Sequence, residues 1–174
     1  MLYDEIRHNL KVYLFPDQEI YTAFKERLEE GSLVRDENQA THFCVYFLPY
    51  NAKDKKIFIG HHKKSGLWLS PGGHIDAGES ILMALNREIT EELGVKNFFK
   101  ETPAPFLFFL TKIISDTRPC KAHFDMWYLV PTGGSDFKVD VREFHATRWV
   151  TLDEADKIIT DPANRKALGI MRTH

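Results

Sequence analysis

Several features are scarce in this 174-residue chain, and each absence excludes a class of site or partner. Cys44 and Cys120 are its only cysteines, which suggests neither a disulfide framework nor a zinc site. The formal net charge of −2 gives no reason to expect a nucleic-acid duplex or an anionic membrane as partner. No apolar run approaches the roughly 20 residues of a membrane span, and residues 1–5 lack the pattern of a secretory signal. We therefore expect a soluble, cytoplasmic protein, which with 43% hydrophobic residues can form one well-packed core.

Hydrophobic spacing divides the chain into a helical beginning and a mixed remainder. We predict that residues 1–40 form a helical arm packed on the core, and that residues 41–174 form the main domain. In the arm, one helix covers residues 3–14, and a second follows the break at Pro16 and Asp17 and ends at Gly31. Strands are predicted over residues 41–48, 57–61, 68–69, 74–75, 106–114, 123–130 and 146–151. Turns or loops are predicted at 51–56, 132–136 and 139–144, and helices at 80–93, 152–159 and 163–171.

Residues 73–95 are the most informative segment. They place four glutamates around one predicted helix with Arg87 among them: Glu79, Glu88, Glu91 and Glu92. The last three fall within an arc of roughly 100° on the helix. Two carboxylates about 5 Å apart repel by roughly 3 kcal/mol at an effective dielectric constant near 20. A hard divalent cation would supply the missing positive charge. The alternative is a glutamate-rich helix face that is only solvated.

The flanking residues favour the cation site. An apolar stripe docks this helix on a core and leaves the acids at an edge where a cleft can form; it consists of Ile81, Leu82, Leu85, Ile89 and Leu93. Ser80 suits the capped first turn, and Gly94 suits a left-handed end. Residues 71–73 and Gly78 make a loop whose backbone can approach a ligand closely.

This segment resembles the signature of the Nudix hydrolases, Gx5Ex7REUxEExGU, in which U is aliphatic. Every fixed position is filled, by Gly73, Glu79, Arg87, Glu88, Ile89, Glu91, Glu92, Gly94 and Val95. The wider resemblance covers residues 41–159. It implies an α/β/α sandwich with a mixed sheet, here with an N-terminal helical arm. It also implies hydrolysis of a diphosphate bond in a small molecule that contains a nucleoside diphosphate linked to another moiety, with Mg²⁺ or Mn²⁺ as cofactor.

The resemblance assigns metal ligation mainly to Glu88 and Glu92, with Glu91 assisting and the Gly72 carbonyl as a further ligand. Arg87 resembles the arginine that orients the catalytic glutamates, paired with Glu79; the alternative is that this pair only braces the loop against the helix.

The general base is left open by the sequence. Glu88 is one candidate, and an acid on a loop before the last core strand is the other. Glu143 lies in that position. Asp125 is a weaker alternative. A carboxylate within hydrogen-bond reach can take a proton from the attacking water.

Candidate substrate contacts lie outside the signature. A basic cluster at residues 61–64 and His74 suit phosphates, and aromatic rings such as Phe47 suit a nucleobase; our selected candidates are His61, Lys63, Trp68, His74 and Trp127. The alternatives are a solvated hairpin end for the basic residues and core positions for the aromatic ones.

Two other functions remain open, an isoprenyl diphosphate isomerase and a non-catalytic module that senses a ligand or binds a partner. The intact signature disfavours both. Isomerases of this fold have a degenerate signature and an added catalytic cysteine, and non-catalytic modules usually lack one of the signature glutamates. We expect a monomer or a homodimer.

Overall fold

The computed structural model describes residues 1–134 and 137–173. Its N-terminal part contains helices α1 (Leu2–Asn9) and α2 (Gln18–Glu29), separated by a 3-10 turn at Val12–Leu14. The helix predicted over residues 3–14 is shorter in the structure. It ends at Asn9, because the chain becomes extended at Leu10. The Asp17 side chain caps α2 by accepting a hydrogen bond from the Ile20 N–H at 2.8 Å.

The arm packs on the main core, to which it contributes the buried side chains of Ile6, Phe24 and Leu28. It also reaches the signature helix, because the Glu5 carboxylate accepts a hydrogen bond from the Ile81 N–H at 2.9 Å. The division into residues 1–40 and 41–174 stays a prediction.

In the described part of the chain, seven strands form one mixed sheet. They are β1 (Thr41–Asn51), β2 (Lys56–His62), β3 (Trp68–Leu69), β4 (Gly72–His74), β5 (Leu107–Lys112), β6 (Ala122–Pro131) and β7 (Phe144–Thr151). The order is β3-β2-β1-β6-β5, while β4 also pairs with β1 and β7 with β2. The β1–β6 pair is parallel and the other pairs are antiparallel. Strands β4 and β7 begin at Gly72 and Phe144, each two residues earlier than predicted, because pairing with β1 and β2 extends them. The predicted turn at 132–136 lies partly outside the described residues.

Three further helices cover the two faces of the sheet: α3 (Ile81–Leu93), α4 (Leu152–Ile158) and α5 (Pro162–Met171). Phe43, Val45 and Phe47 of β1 pack in one core cluster with α3 and the arm. On the opposite face, Tyr46 packs with α5, and Leu48 lies in a cluster that includes residues of α4 and α5. This alternation along β1 places helices on both faces of a mixed sheet, which confirms the predicted sandwich.

The helix α3 begins and ends as its sequence predicts. The Ser80 side chain accepts a hydrogen bond from the Met83 N–H at 3.2 Å, and Gly94 is left-handed with φ of 71°. With 13 residues, α3 is the longest helix described. Within residues 1–134 and 137–173, every helix is too short or too polar to cross a bilayer.

Candidate active site

Two glycines bring β4 against the acidic edge of α3. The Gly72 N–H donates a hydrogen bond of 2.7 Å to the carboxylate of Glu92, which is one of the buried charged residues. At Gly73, a Cβ atom would collide with the carboxylate of Glu88. Gly72 has φ of 144°, which side chains rarely adopt, and a Cβ there would strike the backbone of β1. A side chain at Gly72 would therefore disturb the pairing of β4 with β1, and one at Gly73 would displace the carboxylate of Glu88.

Arg87 joins the acids of the site to each other and to β4. Its guanidinium donates two hydrogen bonds to Glu79, at 2.7 and 2.9 Å, and one of 2.7 Å to Glu88. It also donates a bond of 2.7 Å to the His74 carbonyl. Glu91 is 3.5 Å away, with its side chain 57% exposed. The expected contact between Arg87 and Glu79 is thus present, and it fixes the loop and the helix together.

The two innermost acids resist ionisation. Burial raises the pKa of Glu88 to about 7, although the Arg87 hydrogen bond works in the opposite direction. Burial, and then the charge of Glu88, raise the pKa of Glu92 well above its ordinary value. For Glu79, burial also favours the neutral form, but hydrogen bonds from Arg87 and the Asp76 N–H outweigh it and lower the pKa. A cation between Glu88 and Glu92 would stabilise their charged forms and so lower the pKa of both acids.

Glu143 lies immediately before β7, and its charge is among those that raise the pKa of Glu92. Its carboxylate is 3.3 Å from Lys64 Nζ and 3.6 Å from His62 Nε2. Its carbonyl accepts a hydrogen bond from the Lys63 N–H at 2.8 Å. The loop before the last strand therefore presents Glu143 toward the acidic edge together with two of the four basic residues.

His61 and Lys63, the two we selected from that basic cluster, make other contacts. Lys63 Nζ donates to the Val141 carbonyl at 2.6 Å. His61 stacks on Trp68 with ring centres 5.2 Å apart. Trp68 packs in the cluster with residues of α4 and α5, so the His61 ring lies on the face of the sheet opposite α3. As substrate contacts, His61 and Lys63 stay predictions.

Trp68 is half-buried on the short strand that precedes the glycine loop. The guanidinium carbon of Arg148 lies 4.1 Å from the centre of its ring, a cation–π contact. As a substrate contact, Trp68 stays a prediction.

Trp127, Asp125 and His74 lie on the sheet face opposite α3. Trp127 is 1% exposed and stacks on Tyr46, with ring centres 5.1 Å apart. The structure thus corrects the substrate-binding prediction for Trp127, which belongs to the core. Asp125 is in register with Cys44, so both side chains share this face. It accepts a hydrogen bond from Thr111 at 2.5 Å and is not a neighbour of the α3 acids.

His74 also faces away from those acids, since it is in register with Cys44 on β1. Its ring centre lies 4.8 Å from that of His42 and 5.1 Å from that of His123. Burial, and then these two histidines, lower the pKa of His74 to about 3. Its carbonyl anchors Arg87, whereas a phosphate contact by its ring stays a prediction.

Comparison with known proteins agrees with this geometry. The family model for the NUDIX domain matches residues 40–168. The chain belongs to the Nudix family. Nucleoside triphosphatase NudI of Escherichia coli O81 (strain ED1a) is 34% identical over 131 residues, covering 72% of this chain and 86% of that protein. RNA pyrophosphohydrolase of Pelagibacter ubique (strain HTCC1062) is 26% identical over 120 residues, which cover 63% of this chain and 76% of that protein.

A solved structure shows the same fold. It is the E. coli dihydroneopterin triphosphate pyrophosphohydrolase, with a TM-score of 0.61 and 16% identity, covering 72% of this chain and 91% of that one. The homologues of this Nudix chain are named as pyrophosphohydrolases and nucleoside triphosphatases, so the chain is an enzyme of the Nudix hydrolase type.

The acidic edge of this Nudix enzyme fits the divalent metal ion that the family generally uses. Glu88 and Glu92 offer carboxylate oxygens four residues apart on α3, with Gly72 beside Glu92. Oxygen ligands of this kind suit Mg²⁺ and Mn²⁺. Burial is the main cause of the raised pKa of both acids, and the charge of a bound cation would oppose it.

Proposed function

We propose that this Nudix enzyme hydrolyses a diphosphate bond in a nucleoside diphosphate linked to another moiety, with Mg²⁺ or Mn²⁺ as cofactor. The ligands would be the carboxylates of Glu88, Glu92 and Glu91 and the Gly72 carbonyl. The substrate would be a nucleoside triphosphate, a nucleotide sugar or a dinucleotide. The names of the relatives, a nucleoside triphosphatase and an RNA pyrophosphohydrolase, support this class of bond.

One observation carries the proposal: two buried glutamates are held against a glycine strand by direct contact. Glu92 accepts the 2.7 Å hydrogen bond from Gly72, and Glu88 lies where a Cβ on Gly73 would be. Burying two carboxylates this close costs free energy unless positive charge compensates for it. Arg87 contacts Glu88 but makes no hydrogen bond to Glu92, so Arg87 does not directly compensate the charge of Glu92.

The chain's own residues would share the remaining work. A bound divalent cation neutralises charge on the phosphate oxygens and makes water a better nucleophile. Arg87 would hold Glu88 and Glu79 in fixed positions, which reduces the reorganisation needed during reaction. Glu143 or Glu88 would accept the proton from water. Lys64 and His62 beside Glu143 would favour the approach of an anionic substrate.

The test is a hydrolysis assay on a panel of phosphate compounds, with Mg²⁺, Mn²⁺ or EDTA. The panel contains nucleoside triphosphates, including damaged ones, nucleotide sugars, dinucleoside polyphosphates and RNA with a 5′-triphosphate. We expect metal-dependent release of phosphate or nucleotide by the wild type. Glu92→Gln should lose at least about 100-fold in kcat/KM, because it removes one charged ligand from the site.

Glu101→Gln is the matched control, because this glutamate is exposed in the segment after α3. It should retain wild-type turnover. Full activity of Glu92→Gln, or turnover that survives EDTA, would contradict the metal site. A folded wild type that acts on no compound in the panel would favour the ligand-sensing alternative.

A further inference from the structure

A second group of metal-binding side chains lies on the sheet face opposite α3. It comprises His42 on β1, His74 on β4, His123 on β6 and Cys120, two residues before β6 begins; we call it the His–Cys cluster. His42 and His123 are in direct register across the parallel β1–β6 pair. The cluster is not part of the carboxylate site, and neither the Nudix signature nor the proposed hydrolysis uses it.

The donor atoms of the His–Cys cluster are close enough to share one ion. One ligand atom from each of the four residues lies within 4.8 Å of the others. Cys120 Sγ is 3.8 Å from His42 Nε2. In a tetrahedral zinc site, bond lengths of about 2.0–2.3 Å place neighbouring donors about 3.3–3.6 Å apart. Side-chain shifts of about 1 Å would therefore bring the four atoms to coordination distance.

Unused nitrogen atoms also mark the cluster. The Nε2 atoms of His74 and His123 are buried and have no hydrogen-bond partner within residues 1–134 and 137–173. Leaving buried polar atoms without a partner costs free energy. A bound metal would satisfy both nitrogens at once.

The His42 ring is already oriented for this role. Its Nδ1 lies 3.0 Å from the Asn38 carbonyl, which can only accept, so Nδ1 carries the proton. The lone pair is thereby left on Nε2, the nitrogen that faces Cys120. Metal-binding histidines are commonly fixed by such a bond from the other ring nitrogen.

We propose that His42, His74, His123 and Cys120 bind one Zn²⁺ ion at a site separate from the carboxylate site. Three imidazoles and one thiolate make a complete tetrahedral set of the ligands that zinc prefers. Cys120, His74 and His123 are half-buried, so the ion has a route from solvent. Binding through His74 Nε2 would place a proton on Nδ1 and release its 3.4 Å contact with Arg35.

A competing set shares one of these ligands. Cys44, His123 and Asp125 also place donor atoms within 4.8 Å of one another. It supplies three donors rather than four, and Cys44 is 0% exposed. The four-residue set is therefore favoured, and the identity of the thiolate distinguishes the two.

The experiment uses the full chain after EDTA has removed its metal ions. Millimolar Mg²⁺ is then added to occupy the carboxylate site on α3, and the protein is titrated with Zn²⁺. We expect one zinc per chain by elemental analysis after desalting, with a dissociation constant of about 100 nM or tighter. Saturating Zn²⁺ should raise Tm by about 5–15 °C. Wild type that retains no zinc under these conditions overturns the proposal without reference to any variant.

Two matched cysteine variants locate the thiolate. With Co²⁺ in place of zinc, the wild type and Cys44→Ala should show the sulfur-to-cobalt charge-transfer band, and Cys120→Ala should not. Cys120→Ala and His123→Gln should each weaken zinc binding by at least about 100-fold. Changes to residues that only support a metal ligand already cost about 10–100-fold, and these two variants remove a ligand itself. Circular dichroism establishes that each variant is folded. Zinc affinity of Cys120→Ala within threefold of wild type, or loss of the band in Cys44→Ala alone, overturns the assignment.

Discussion

Replacing Arg87 by glutamine tests whether one arginine holds the acids of the active site in place. The wild-type guanidinium makes three charged hydrogen bonds of 2.7–2.9 Å, two to Glu79 and one to Glu88. Its side chain is 24% exposed, and those of Glu79 and Glu88 are 12% and 10% exposed. Glutamine is too short to reach both acids, so two poorly solvated carboxylates lose their partner.

Removing one member of a buried ion pair costs roughly 3–5 kcal/mol. Partial exposure of Arg87 and protonation of Glu88 reduce this, so we expect a loss of about 2–4 kcal/mol. In a chain of this size each kcal/mol lowers Tm by about 2–4 °C, which gives a fall of about 5–15 °C. Differential scanning calorimetry in EDTA measures it. Arg142→Gln is the matched control, because Arg142 is 86% exposed beside Asp140 and its loss should change Tm little.

Activity and metal dependence complete this test. Arg87→Gln should lower kcat at least about tenfold, because Glu88 is no longer fixed. Mg²⁺ should recover part of the lost stability by neutralising Glu88. A Tm within 2 °C of the wild type, with kcat unchanged, would refute the reasoning, since neither the fold nor the catalytic acids would then depend on Arg87.

Three other predictions test single features of the site. Glu143→Gln should slow hydrolysis by roughly 10²–10⁴ if Glu143 is the general base, and a change below about threefold would return that role to Glu88. Gly73→Ala should lower activity at least about tenfold, because its methyl group would displace Glu88. Gly133→Ala is the control, because no atom of residues 1–134 and 137–173 lies within 4 Å of the new Cβ, and equal activities of the two variants would contradict the steric argument. Burial raises the folded-state pKa of Glu88 from an ordinary 4.5 to about 7. Between pH 4.5 and 7 the folded protein therefore binds the Glu88 proton more tightly than the unfolded chain does, so the free energy of unfolding falls as the pH rises. In EDTA, the wild type should therefore lose about 3 kcal/mol relative to Glu88→Gln between pH 4.5 and 8, and parallel stability curves would contradict the shift.

Local signals account for what the sequence predicted well. Ser80 and Gly94 mark the ends of α3 because a side-chain cap and a left-handed glycine act within one helical turn. Spacing along α3 likewise placed Glu88 and Glu92 on one edge of the helix. The signature also carries Gly73 and the acids of α3 in one segment, whereas the hydrogen bond from the Gly72 N–H to Glu92 is seen only in the structure.

Long-range pairing accounts for what the sequence could not indicate. Two cysteines suggested no zinc site, yet Cys120 meets His42 only because β1 and β6 pair in parallel, 78 residues apart. The same register sends Trp127 under α5, where it packs against Ala163 and Ala167 instead of meeting substrate. Register is set by which face each strand buries, and this depends on partners distant in the chain.

The two proposed sites share strand β4, which ties their behaviour together. Gly72 and Gly73 lie against the acids of α3, and the His74 ring belongs to the His–Cys cluster on the other face. The His74 carbonyl accepts the 2.7 Å hydrogen bond from Arg87. The ring and the carbonyl belong to one residue, so a metal that held the ring would also limit the positions open to the carbonyl that holds Arg87.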